Sequence, residues 1–171
     1  MRKVLLLVMA LSLAGVGCSD SSGDGSGTQD VTITFGAVVG TEAFVCGNTY
    51  ENLGANDTSL QVSDFRFFVQ SMELKNEAGD YVAVSLEDND WQAEGTTLLD
   101  FEDGCNDLGT EEMNTSVTGT VPAGLYDGIR FQMGVPFEAN HDNTATAPSP
   151  LNLTSMNWNW QGGYKFLRIV S

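Results

Sequence analysis

The sequence predicts an all-β protein, an antiparallel β-sandwich of about seven strands, and three observations carry that expectation. From Asp30 onward, short runs alternate apolar and polar residues; glycine, asparagine and aspartate punctuate them; and no stretch has the apolar spacing of a convincing amphipathic helix. Strands in series without helices to cover them bury their apolar faces against a second sheet.

The first predicted strand, residues 31–39, lies between Asp30 and Gly40. The second, residues 65–74, runs into the turn "NEAGDY" (76–81), and the third, residues 81–86, leaves that turn. Residues 96–101 follow Gly95. Residues 116–121 lead into "PAGLYDG" (122–128), whose far side opens the strand 126–135, and residues 164–170 follow the pair Gly162 and Gly163. No internal repeat is present. Two polar stretches resist strand assignment, the acidic "DFEDGCNDLGTEE" (100–112) and "FEANHDNTATAPSP" (137–150). Loops on a rigid scaffold are where binding residues concentrate.

The chain of 171 residues is long enough for about one domain. Residues 1–17 read as a lipoprotein-type signal peptide: Arg2 and Lys3 precede an apolar run (4–13) too short to span a bilayer, and "AGVGC" resembles a bacterial lipobox, with Gly15 where leucine is usual. Cys18 is then expected to be the lipidated first residue of the mature chain, anchored to the outer membrane on the periplasmic or cell-surface side, with ordinary cleavage after Gly17 as the alternative. Residues 18–30 read as a flexible Ser/Gly/Asp linker, without the aspartate spacing of an EF-hand, and residues 31–171 as the domain.

Loss of Arg2 and Lys3 leaves five basic residues against 23 acidic ones and moves the formal charge from −16 to −18. Nothing on such a surface neutralises a row of phosphates, so nucleic acid is not expected as a partner; the surface suits a soluble extracytoplasmic protein, a cationic partner or a bound cation without choosing among them. Cys46 and Cys105 remain in an oxidising compartment, where a disulfide is the natural reading and a two-cysteine metal site the rival. The bridge would close 59 residues of chain and stabilise by about 4 kcal/mol.

No catalytic residue is marked. His141 has no motif supplying a nucleophile or an acid, and Glu102 with Asp103 read as a solvated acidic loop, so the chain is not expected to be an enzyme. His141 is either a hydrogen-bonding loop residue or a metal ligand. Met72, Met113, Met133 and Met156 read as core filler or soft copper(I) ligands. In "PLNLTSMNWNWQGGYKF" (150–166), an extended strand would put Met156, Trp158 and Trp160 on one face. Both indoles are expected in the core; exposed, they would form a carbohydrate-stacking platform.

Four segments, "VSDFRFFVQSMEL" (62–74), "LLDFEDGC" (98–105), "VTGTVPAGLYDGIRFQMGVPFEANH" (117–141) and "PLNLTSMNWNWQGGYKF", occur in one order at compatible spacing. Together they resemble the MbnP-like proteins, the four-cysteine partners of the metallo-mystery pair, related to methanobactin-associated copper-binding proteins. The resemblance runs from about Val31 to Ser171. It implies an exported β-sandwich that binds copper as copper(I), paired with a di-haem cytochrome c peroxidase-like protein that oxidises one tryptophan to kynurenine. Histidine and kynurenine then help hold the metal. His141 is the expected imidazole ligand, and Trp91, Trp158 and Trp160 are the candidates for oxidation. Trp91, in the polar turn "EDNDWQ", is expected to be the most accessible to a large partner. The mature chain has two of the four cysteines, and the family usually continues beyond "GYKF", so the sandwich is expected to be incomplete at its C-terminus. The alternative from a different class is a surface binding module for glycans or structural calcium.

Overall fold

The computed structural model describes residues 5–10 (backbone only), 27–105 and 109–171. Cys18 and most of the expected signal and linker lie outside the described residues. In chain order the strands are β1 (Leu5–Ala10), β2 (Thr28–Val39), β3 (Glu42–Ala43), β4 (Thr49–Leu53), β5 (Thr58–Gln61), β6 (Asp64–Asn76), β7 (Tyr81–Ala83) and β8 (Ser85–Leu86). They continue as β9 (Gln92–Ala93), β10 (Thr96–Asp100), β11 (Ser116–Pro122), β12 (Tyr126–Met133), β13 (Asn157–Asn159), β14 (Gly163–Tyr164) and β15 (Leu167–Val170). One sheet has the order β1-β2-β11-β8 with β3 added on β2; the other has the order β12-β6-β10-β9, with β7 and β15 also on β6. The strand pairs are antiparallel, and the molecule is the expected all-β sandwich.

β6 organises the second sheet because it is long enough to serve four partners. On one edge, Arg66–Gln70 pairs with β10 and Glu73–Lys75 with β7. Between them Ser71 takes φ 51°, a left-handed conformation that bends the strand where the partner changes. The other edge pairs with β15 and then β12.

Alternation along β6 and β10 separates two cores. Phe65, Phe67 and Val69, with Leu99 and Phe101, face Val31, Ile33, Phe35, Val117 and Val121 of the opposite sheet. Phe68 and Leu98 point the other way and meet Val135, Ala139, Leu151, Met156 and Tyr164. The chain between β12 and β15 thus folds back over the outer face of the sheet. Each buried phenylalanine contributes roughly 1.5–3 kcal/mol through burial.

Several boundaries differ from the sequence expectation. β2 begins at Thr28, so the linker ends before residue 30; Thr28–Thr34 is held by the ladder to β11. Residues 81–86 are two short strands in different sheets, and residues 164–170 divide between β14 and β15. The β4–β5 hairpin was not expected because its strands are mostly exposed and polar.

Candidate functional site

The acidic stretch 100–112 is not the solvated loop that its composition suggests. Asp100 and Glu102 are fully buried, as are Asp64 and Arg66. Strand register brings them together: Arg66 of β6 stands between Asp100 of β10 and Arg168 of β15, and all three occupy the face that carries Phe68 and Leu98. Arg66 donates through Nε to Asp64 Oδ1 at 2.9 Å and through Nη2 to Oδ2. Its Nη1 lies 3.7 Å from Glu102 Oε1, and Arg168 Nε lies 2.7 Å from Asp64 Oδ2. Charges withdrawn from water persist only when paired in this way.

Glu102 ties the loop down. Its carboxylate accepts from the backbone N–H of Gly104 at 2.9 Å and of Thr110 at 2.6 Å. Gly109, with φ 93°, passes so close that an added Cβ would lie 1.9 Å from Glu102 Oε1. Asp100 accepts from the Glu102 N–H at 3.0 Å and the Thr110 hydroxyl at 3.0 Å. Burial nevertheless pushes its pKa from 3.8 up to about 7, against those hydrogen bonds. For Arg66, burial opposes the charge, but the hydrogen bond and charge of Asp64 outweigh it and raise the pKa above the ordinary value.

Cys46 and Cys105 form the disulfide, with Cα atoms 5.8 Å apart. Asp103 lies close enough to complete a three-ligand cluster with them. As a disulfide, however, the two sulfurs offer no thiolate to a metal.

The stretch that follows β12 places the sole histidine. Backbone turns 136–142 bury Ala139 and turn Asn140 and His141 toward the β13–β14 hairpin. Asn140 Oδ1 accepts from the Tyr164 N–H at 3.0 Å. His141 Nδ1 lies 2.9 Å from the carbonyl oxygen of Trp160, and Nε2 lies 3.4 Å from Asn140 Nδ2. A carbonyl only accepts, so Nδ1 carries the proton and the lone pair belongs to Nε2. A hydrogen bond from one imidazole nitrogen to a carbonyl orients the ring as metal-ligating histidines are oriented; here the Nε2 lone pair faces the Asn140 amide N–H donor at 3.4 Å, which a metal at that nitrogen would displace. The ring's polar partners are a carbonyl and an amide, neither of them a nucleophile.

The tryptophans are not where the sequence suggested. Trp158 and Trp160 are each 70% exposed rather than in the core. Met156 is buried at the end of a 3₁₀ turn, Thr154–Met156, just before β13, so the three side chains do not share one face. Trp91 is half-buried and packs against the outer core, which reverses the expected order of access. Met72 and Met156 are buried, whereas Met113 and Met133 are exposed. Lys165 Nζ stands 4.6 Å from the centroid of the Trp158 ring and donates to Ser155 O at 2.9 Å. The same carbonyl accepts from Arg168 Nη1 at 2.7 Å, which links the hairpin to the buried charges. Sequence reasoning missed Arg66, Asp64 and Arg168; no local motif marks them, and only register assembles them.

Residues 28–170 match the family model described as MbnP. Among solved structures, the chain is similar to MbnP from Methylosinus trichosporium at 31% identity and a TM-score of 0.71, over 84% of this chain and 54% of that one. It therefore spans about half the length of that relative. No curated protein sequence matches it.

Proposed function

Because this chain belongs to the MbnP family, we propose that it is an extracytoplasmic copper(I)-binding protein, lipid-anchored through Cys18. In this reading it is the oxidation substrate of a di-haem peroxidase-like cytochrome and has no catalytic machinery of its own. The observation that carries the reading is the meeting of His141 with the tryptophan hairpin, at 2.9 Å between Nδ1 and the Trp160 carbonyl. It joins the expected imidazole ligand to the segment that holds two of the three candidate tryptophans.

The donor chemistry fits. The Nε2 lone pair is the donor that copper(I) accepts from a neutral imidazole. Copper bound there would supply a low-coordinate cuprous centre, and oxidation of a neighbouring tryptophan to kynurenine would add an aromatic amine as a further donor. The role of the chain's own residues is positional. The Trp160 carbonyl fixes the tautomer, and Asn140, anchored on the Tyr164 N–H, holds the hairpin beside the ring. With Arg2 and Lys3 removed in this reading, a formal charge of −18 draws cations to the surface.

The test is to co-express the protein with a di-haem peroxidase-like cytochrome, map tryptophan oxidation by peptide mass spectrometry and titrate copper(I) against a competing chelator. Oxidation of one tryptophan together with copper affinity that depends on His141 supports the proposal; three intact tryptophans contradict it.

A second reading draws on one observation, the two exposed indoles. Aromatic faces open to solvent stack on sugar rings, and glycan affinity lost in Trp158→Ala without copper binding would favour that module. Calcium gains less support, since Glu102 already accepts two backbone N–H groups.

A further inference from the structure

A cleft of about 270 Å³ lies between the polar turn before β9 and the strand β11, and the copper reading makes no use of it. Hydrogen bonds fix its frame. Gln92, 1% exposed, donates to Glu87 O at 2.7 Å and Thr118 O at 2.9 Å and accepts from the Thr118 N–H at 2.8 Å, which staples β9 to β11. Asn114 donates to Leu98 O at 2.8 Å and accepts from the Ser116 N–H at 3.2 Å. Along β11 the period of two turns the side chains of Ser116 and Thr118 to the face opposite the buried Val117. Trp91 lines the cleft and also packs against the outer core, and its backbone N–H is bonded to Asn89 Oδ1 at 2.8 Å. The Asp90 carbonyl accepts from the Ser149 hydroxyl at 2.6 Å.

This frame consumes the amides and leaves other groups for a ligand. Among the described residues, the Asp90 carboxylate and the hydroxyls of Ser116 and Thr118 make no hydrogen bond, and no aliphatic residue lines the cleft. The lining thus offers one anionic acceptor, two hydroxyls and one indole. A hard metal ion needs several converging oxygens, chiefly carboxylates, and the cleft has one free carboxylate. A phosphate or carboxylate ligand would be repelled by it, and an apolar ligand would find no aliphatic wall. We propose that this cleft binds one neutral pyranose sugar. Its volume, just below the range of drug-sized pockets, suits a single ring rather than an oligosaccharide. Asp90 accepts from two neighbouring sugar hydroxyls, Ser116 and Thr118 donate to or accept from others, and the C–H face of the ring lies on the Trp91 indole. Because Gln92, Asn114 and the outer core hold the lining in place beforehand, binding orders little of the protein. The site is separate from the copper reading and from the exposed indoles of Trp158 and Trp160.

The experiment needs neither copper nor the cytochrome. The purified full chain is titrated to about 100 mM with the methyl glycosides of glucose, galactose and mannose, with N-acetylglucosamine, and with ethanolamine, a cation that has a hydroxyl but no ring. The indole N–H signals are followed by NMR, and Trp158→Phe and Trp160→Phe assign them. At least one of the sugars is expected to move the Trp91 signal saturably, with a Kd in the millimolar range. Asp90→Ala and Thr118→Val remove free groups and leave the frame intact; each is expected to weaken that sugar by about tenfold at an unchanged urea midpoint. No saturable shift of the Trp91 signal with any of these sugars overturns the inference, whether or not the variants fold. Affinity unmoved in folded Asp90→Ala and Thr118→Val overturns it too, as does saturation confined to Trp158 or Trp160, or ethanolamine bound as tightly as the best sugar. Failure of the protein to bind copper(I) would remove the proposed function without touching these signals.

Discussion

His141 Nδ1 lies 2.9 Å from the carbonyl oxygen of Trp160, a hydrogen bond that joins the loop after β12 to the tip of the β13–β14 hairpin beside the one from the Tyr164 N–H to Asn140 Oδ1. The hairpin can come this close because Gly163, at φ 72°, leaves room for Asn140: an added Cβ would lie 2.5 Å from Asn140 Nδ2. Gly163→Ala is therefore expected to cost roughly 1–3 kcal/mol and to displace Asn140. Urea unfolding reads the first effect and the His141 ring NMR signals the second; unchanged histidine signals would contradict the coupling.

The disulfide joins the start of the β4–β5 region to the loop that Glu102 holds. Replacing both Cys46 and Cys105 by serine is expected to remove about 4 kcal/mol. At about 2–4 °C per kcal/mol for a domain of this size, the melting temperature should fall by about 8–16 °C. A fall below about 2 °C would show that the bridge adds little to a loop already fixed by Glu102 and Thr110.

Asp100 makes stability depend on pH in an unusual direction. Its pKa is raised in the fold from 3.8 to about 7, so between those values the native state binds more protons than the unfolded state. The contribution is fully present below the unfolded value and lost as pH rises through the folded one. Asp100→Asn removes the titration, and its stability relative to the wild type is expected to improve by about 1–4 kcal/mol between about pH 4.5 and about pH 8. Denaturant unfolding at both values measures it, and parallel profiles for the two proteins would place the proton elsewhere.

The sandwich was legible because β2, β6, β10, β11 and β12 carry runs of apolar and β-branched residues bounded by turn residues. The continuous burial of Asp64–Val69 came from tertiary structure, since the segment between β12 and β15 covers a face that would otherwise meet water. Composition misled at two places for related reasons. Asp100 and Glu102 sit in an acidic run, yet register sets Arg66 beside them, and pairing across strands far apart in sequence has no local signature. Trp158 and Trp160 look like core residues, but Met156 takes the buried place, and the short β13 and the turn after it carry the indoles outward. The disulfide followed from the two cysteines left in a chain read as exported, and the position of His141 on a loop from a polar stretch without strand alternation.

The most direct measurement of the proposed copper role is a copper(I) titration, against a competing chelator, of the protein co-expressed with a di-haem peroxidase-like cytochrome, comparing wild type with His141→Ala. Loss of the Nε2 donor is expected to weaken binding by at least about tenfold. Equal affinity in the two proteins would contradict a copper site built on His141.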